Sequence, residues 1–180
     1  TAMFKDSTAI ARNVHSQVAD RIGISIVRGD VAPGQSLPSE VKICETLAVS
    51  RTVVREAIRT LTGKGLVESR PKSGTRVRPP EEWNQLDADV LRWQIEHADL
   101  DTYLAKVFQL RNAMEPTAAA LAATAATDAD RAALQAAWEA MVTASDNEGF
   151  VTADIAFHKR LYIASRNEFF WPIAQLFEIT

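Results

Sequence analysis

Apolar residues recur at every fourth position early in the chain. Val14, Val18, Ile22 and Ile26 make one stripe and predict a helix from about Ala9 to Arg28. Gly29-Asp30 and Pro33-Gly34 end it and turn the chain. Ser39 then stands as an N-cap, with Glu40 in the first turn of a short helix facing the positive end of its dipole. The inner face of that helix reads as Val41, Cys44 and Leu47. After the tight connection Ala48-Val49, Ser50 caps a third helix, from about Arg51 to Lys64, that buries Val54, Ile58 and Leu61. Its other faces carry Arg51, Thr52, Arg55 and Arg59. LVESR, the turn PKSG and TRVR predict two short strands around a glycine-containing tip. Three helices followed by a hairpin outline a winged helix-turn-helix.

Pro79-Pro80 and Glu81-Glu82 read as a stiff, polar linker, and everything beyond it reads as helix. WNQLDADVLRW predicts a short amphipathic piece with Leu86, Val90 and Trp93 on one side. A long helix from about Leu100 to Thr124 stacks Leu104, Phe108, Arg111 and Glu115 along one side, with a kink expected at Pro116. Thr127 and Asp130 have capping-box spacing ahead of a helix expected to bury Leu134, Trp138 and Met141. Further helices are expected from about Gly149 to Arg166 and over WPIAQLFEI. The expected fold is mainly α: a winged helix-turn-helix over 8–78, a linker over 79–85, and a helical bundle over 86–180.

Composition sharpens the division. The net charge of −3 over 180 residues hides a basic first part, 13 Lys/Arg against 7 Asp/Glu up to Pro79, and an acidic remainder, 7 against 16. Opposite charge in the two parts points to two domains with different partners, and only the first suits a polyanion. No apolar run approaches the roughly 18 residues of a membrane span. The start of the chain lacks the apolar core of a signal peptide, and Thr1-Ala2 ahead of Met3 reads as a cloning scar. A lone Cys44 permits no internal disulfide and fits a reducing, cytoplasmic location; its register makes it a small core residue.

A DNA-reading helix needs forked donors on its exposed face, because Arg can bond guanine O6 and N7 bidentately in the major groove. It also needs a preceding helix whose N-terminal amides can hold a phosphate. Ser39-Glu40 opens such a helix, and Arg51, Thr52 and Arg55 begin the next. A surface helix bearing arginines for solubility stays open on these residues alone. The stretch LPSEVKICETLAVSRTVVREAIRTLTGKGLVESRPKSGTRV resembles the signature of the GntR superfamily of regulators, and the likeness runs from about Val14 to Val77. It implies Ser39 on a phosphate, Arg51, Thr52 and Arg55 on or beside bases, and the wing tip Lys72, Ser73 and Gly74 in the minor groove. Two positions depart from the family pattern. Val41 stands where many members carry a base-reading Arg, and Ala48 where members usually have Gly. A positive φ at Ala48 would cost on the order of 1 kcal/mol.

The second half, in LRNAMEPTAAALAA and DIAFHKRLYIASRN, resembles the FCD effector domain of the FadR subfamily, and WNQLDADVLRW looks like the branch regulating galactonate catabolism. Asp154 and His158, four apart, share one helix face, where a solvated or capping pair and a metal pair both fit the spacing. The resemblance implies two ligands of a divalent metal site (zinc, nickel or manganese), with two further histidines from later helices. Only His15, His97 and His158 occur here, so either the domain is truncated by roughly 50 residues, the favoured expectation, or the pocket is incomplete. Phe169, Phe170, Trp171 and Phe177 then await partners. Arg111 faces inward, and its partner is either Glu115 on the next turn or the carboxylate of an effector. The expected function is a metabolite-responsive repressor that binds a palindromic operator as a homodimer and answers to a small carboxylate or sugar acid, with no membrane partner. A metal-dependent hydrolase built on Asp154 and His158 is the alternative, along with a regulator of a different organic acid.

Overall fold

A computed structural model describes residues 7–70, 74–174 and 176, with side chains described from Val14 onward. The chain divides into two compact units, Thr1–His97 and Ala98–Thr180.

In the first unit, α1 (Ser7–Val27) packs on α3 (Arg51–Gly63), and α2 (Glu40–Leu47) packs on α3. The stripe on α1 is real: Val18 and Ile26 are buried, and Val14 and Ile22 half-buried. The inner face of α2 is shifted from the expected one. Ile43, with Cys44 and Leu47 at its side, meets Val54 and Ile58 of α3, while Val41 is 45% exposed. Both registers have helical spacing; the position of α3 selects the one containing Ile43.

Strands β1 (Val67–Arg70) and β2 (Gly74–Val77) pair antiparallel, with Val67 opposite Val77 and Arg70 opposite Gly74. The α1–α2 loop adds to this ladder. Leu37 N–H donates to Thr75 C=O at 2.8 Å, and Val77 N–H donates to Gln35 C=O at 2.9 Å. The wing is thereby tied to the segment that leads into α2.

Within the expected linker Trp83 joins the core, while Pro80, Glu81, Glu82, Asn84 and Gln85 are exposed. Pro80–Glu82 form one 3-10 turn, and Trp83 behind it is 8% exposed, its indole N–H donating to Arg78 C=O at 3.0 Å. Gly65, at φ +79°, lets Glu82 C=O come so near that a Cβ there would lie 2.7 Å from it. Helix α4 (Ala88–His97) then lies against α1. Val90, Leu91 and Trp93 are buried, and Leu86, placed on that face by the sequence reading, is 38% exposed and precedes the helix. Lys64, the C-cap of α3, closes the arrangement by donating to Asp87 at 2.8 and 2.9 Å and pairing with Asp89 at 2.8 Å. The unit boundary therefore falls after His97, later than the boundary at Leu86 expected from periodicity.

In the second unit, α7 (Asn147–Ala164) packs against both α5 (Leu100–Ala125) and α6 (Asp128–Thr143). Helix α5 runs unbroken through Pro116. Alanines set the spacing: Ala118, Ala122, Ala126 and Ala164 are buried and let α5 and α7 approach closely, with Tyr162 filling the core between them. The Thr127–Asp130 capping box forms as expected. Trp138 does not go inside; it is 48% exposed, and Leu134 and Met141 are half-buried. After α7 a single turn, α8 (Trp171–Ala174), sets Phe170 edge-on to Tyr162 at 6.0 Å, while Phe169 and Trp171 are exposed. Phe177 lies outside the described residues.

Candidate DNA-reading surface and effector pocket

The first candidate surface is built by two N-caps. Ser39 Oγ accepts from Lys42 N–H at 3.3 Å, and Ser50 Oγ accepts from Val53 N–H at 3.4 Å, so each serine starts its helix where the sequence reading placed it. Ala48 joins the helices in the left-handed region, at φ 53° and ψ 45°, with its N–H on Cys44 C=O. The strain expected there is therefore present. The buried face of α3 is Val54, Ala57, Ile58 and Leu61, which turns Arg51, Thr52, Arg55 and Arg59 outward. Ser39, Arg51, Thr52 and Arg55 are all exposed within the same unit. Arg55 Nε donates to Glu40 Oε2 at 3.0 Å, and Arg59 pairs with Glu56 at 3.0 Å. In the wing, Gly74 has open space where a Cβ would stand. Lys72 and Ser73 lie outside the described residues.

The second candidate site joins α5 and α7 in the other unit. One helical turn on α7 brings Asp154 Oδ1 to 3.2 Å from His158 Nε2. From α5, Arg111 Nε donates to Glu115 Oε1 at 2.9 Å and Nη1 to Asp154 Oδ2 at 3.4 Å, while Nη2 touches His158 Nε2. Glu115 Oε1 is also 2.7 Å from His158 Nδ1, close in distance without the alignment of a hydrogen bond. Arg111 and His158 are mostly buried, with side chains 17% and 13% exposed. Phe108 stacks against the guanidinium at 5.8 Å yet is 54% exposed, so the face of α5 expected to be wholly inward opens to solvent there. Below, burial pushes the Tyr162 phenol up to about 12, with the Glu115 charge acting in the same direction.

This cluster brings together Arg111, Asp154 and His158, and Glu115, one of the two partners expected for Arg111, is bonded to it. It does not make up a metal centre. Among the described residues no group of three or more His, Cys, Asp or Glu side chains is placed to hold an ion. The guanidinium of Arg111 lies against both donor atoms, Asp154 Oδ2 and His158 Nε2, that an ion would use. The residues present thus fit an arginine held by carboxylates better than a coordinated cation.

Comparison with known proteins agrees with this two-part anatomy. Residues 14–77 match the model of bacterial regulatory proteins of the gntR family, and residues 106–179 match the FCD domain. The chain belongs to the GntR family. It is 36% identical to the uncharacterized HTH-type transcriptional regulator YieP of Escherichia coli K12, over 94% of this chain and 75% of that protein. It is 34% identical to the galactonate operon transcriptional repressor of the same organism, over 93% of this chain and 72% of the repressor. The solved structure of Lar, described as controlling expression of the Listeria monocytogenes agr system, is similar at 25% identity and a TM-score of 0.54. That likeness covers 92% of this chain and 70% of Lar. The protein is thus a GntR-type transcription regulator with an FCD domain, and none of these likenesses is to a hydrolase.

Proposed function

We propose that this GntR regulator is a repressor of a sugar-acid operon, reading operator DNA through α3 and the wing and sensing a hydroxylated carboxylate in the α5–α7 pocket. The carrying observation is the likeness to the galactonate operon transcriptional repressor over nearly the whole chain. The outward arginines support the reader. Arg51 and Arg55 offer planar forks that suit guanine edges, and Thr52 and Ser39 lie beside them for phosphates. In the α5–α7 cluster a ligand carboxylate would compete with Asp154 and Glu115 for the planar guanidinium of Arg111, and Asp154 and His158 supply polar atoms for hydroxyl groups.

The protein acts in the cytoplasm as a homodimer on a palindromic operator, as a two-fold reader requires. No helix among the described residues is long and apolar enough to cross a membrane. Ligand binding lowers operator affinity because the ligand binds the released form more tightly, and the coupling is reciprocal. A divalent ion joins the pocket only where further donors meet Asp154 and His158. Electrophoretic mobility shift with the duplex upstream of the protein's own gene, with and without a panel of sugar acids that includes D-galactonate, tests the proposal. A shifted band that galactonate releases supports it. A band released by no sugar acid overturns the effector, and no band at all overturns the reader.

A further inference from the structure

Glu40 is an acid at the mouth of a surface that would meet a polyanion. It begins α2, directly after Ser39, where the N-terminal amides would otherwise favour a phosphate. Its carboxylate accepts from Arg55 Nε at 3.0 Å, across from the second turn of α3. The pair does little for the fold, because the Arg55 and Glu40 side chains are 65% and 39% exposed. Its effect on recognition is larger. The bond uses the nitrogen nearest the arginine stem, so it fixes the rotation of the guanidinium and leaves Nη1 and Nη2 as the fork that a guanine O6 and N7 need. The same negative charge offsets the undirected attraction of Arg55 for any phosphate.

We propose that Glu40 is a specificity-determining residue, which positions Arg55 for base reading and suppresses its attraction to DNA of arbitrary sequence. The inference rests on the reading that α3 contacts DNA through Arg55.

The test compares two duplexes of equal length, one enriched by the wild-type protein from a randomised pool and one unselected. Glu40→Gln should bind the unselected duplex about threefold to tenfold more tightly, lower the selected-to-unselected ratio, and steepen the salt dependence by about one phosphate equivalent. In the Arg55→Ala background, Glu40→Gln should leave the ratio where Arg55→Ala alone sets it. Equal weakening on both duplexes would mean that Glu40 serves only the helix start, and would overturn the proposal. So would the same change of ratio in the Arg55→Ala background. If Arg55→Ala itself leaves the ratio at its wild-type value, the reader assignment fails first. If it collapses the ratio while Glu40→Gln does not move it, Glu40 alone is wrongly assigned.

Discussion

Trp93 lies flat on Gly23. A Cβ at position 23 would stand 2.4 Å from the indole ring, which is 1% exposed and anchored by its N–H to Asp20 Oδ1 at 2.9 Å. The ring cannot swing aside. Gly23→Ala gains somewhat under 1 kcal/mol of helix propensity, but overpacking costs about 1–3 kcal/mol, so net destabilisation is expected. Trp93→Ala should cost about 3–5 kcal/mol by leaving a cavity. Thermal unfolding checks both, and a Gly23→Ala protein as stable as wild type would show that α4 docks elsewhere.

The Lys64 clamp gives a pH dependence with two signs. Burial pulls the Lys64 ammonium down, but Asp87 and Asp89 outweigh it and raise its pKa above the ordinary 10.5. Burial pushes the Asp89 carboxyl up, but Lys64 and Arg92 outweigh that and hold it below the ordinary 3.8. The lysine contribution is therefore complete below pH 10.5 and lost as pH rises through the raised value. The aspartate contribution is complete above pH 3.8 and lost as pH falls through the lowered one. Lys64→Met should remove the alkaline edge of the stability profile and weaken the acidic one, where Arg92 still holds Asp89, as measured by urea unfolding across pH. It should also cost about 1–3 kcal/mol at neutral pH by taking the ammonium from Asp87, whose Oδ1 keeps only the Asp89 and Val90 N–H groups at 3.0 and 3.2 Å.

Ala48 offers a gain. Its left-handed conformation costs about 1–2 kcal/mol for a residue with a Cβ, and glycine returns part of that through a more flexible unfolded chain. Ala48→Gly should stabilise the protein by about 0.5–1 kcal/mol. A lower melting temperature would contradict the strain.

Much of this was legible in the chain. Ser39, Ser50 and the Thr127–Asp130 box announce helix starts because caps are local chemistry. The four-residue stripe of α1 is local in the same sense. What escaped depends on neighbours. The spacing of Val41, Ile43, Cys44 and Leu47 supports two inner faces, and only α3 decides between them. Pro79 to Glu82 look like a linker until Trp83 finds the space beside Gly65. Trp138 has helical spacing with Leu134 and Met141, yet it is about half exposed. In the α5–α7 cluster, Asp154 and His158 are visible as a pair on one helix, whereas the approach of Arg111 from α5 is a tertiary fact. The glycine inside α1 was the overlooked signal, since such a glycine usually has a packing reason.

Arg51→Ala and Arg55→Ala should each cost about 1–3 kcal/mol at the operator and relax sequence preference, as loss of a bidentate base contact does. Lys72→Ala should instead weaken all DNA similarly and reduce the salt slope by about one. Fluorescence anisotropy at several salt concentrations separates the two patterns. Wild-type operator affinity in both arginine variants would remove α3 from the interface.

Arg111 faces two carboxylates, Glu115 and Asp154, so an anionic ligand must compete for a guanidinium that already has partners. Such a ligand gains most if it also replaces what those partners lose, and a polyhydroxy acid can do so by donating hydroxyl hydrogens to Asp154. Sugar acids should therefore stabilise the protein in a thermal-shift screen, while simple fatty acids of equal charge should not, and Arg111→Ala should abolish the shift. The same substitution takes away the cation that lies between Asp154 and His158. Uptake of zinc, nickel or manganese, followed by calorimetry, should then rise rather than fall. A sugar-acid shift that survives Arg111→Ala would place the ligand elsewhere. Tight metal binding by the unaltered chain, with no gain in the variant, would show that Arg111 yields its place to the ion without cost.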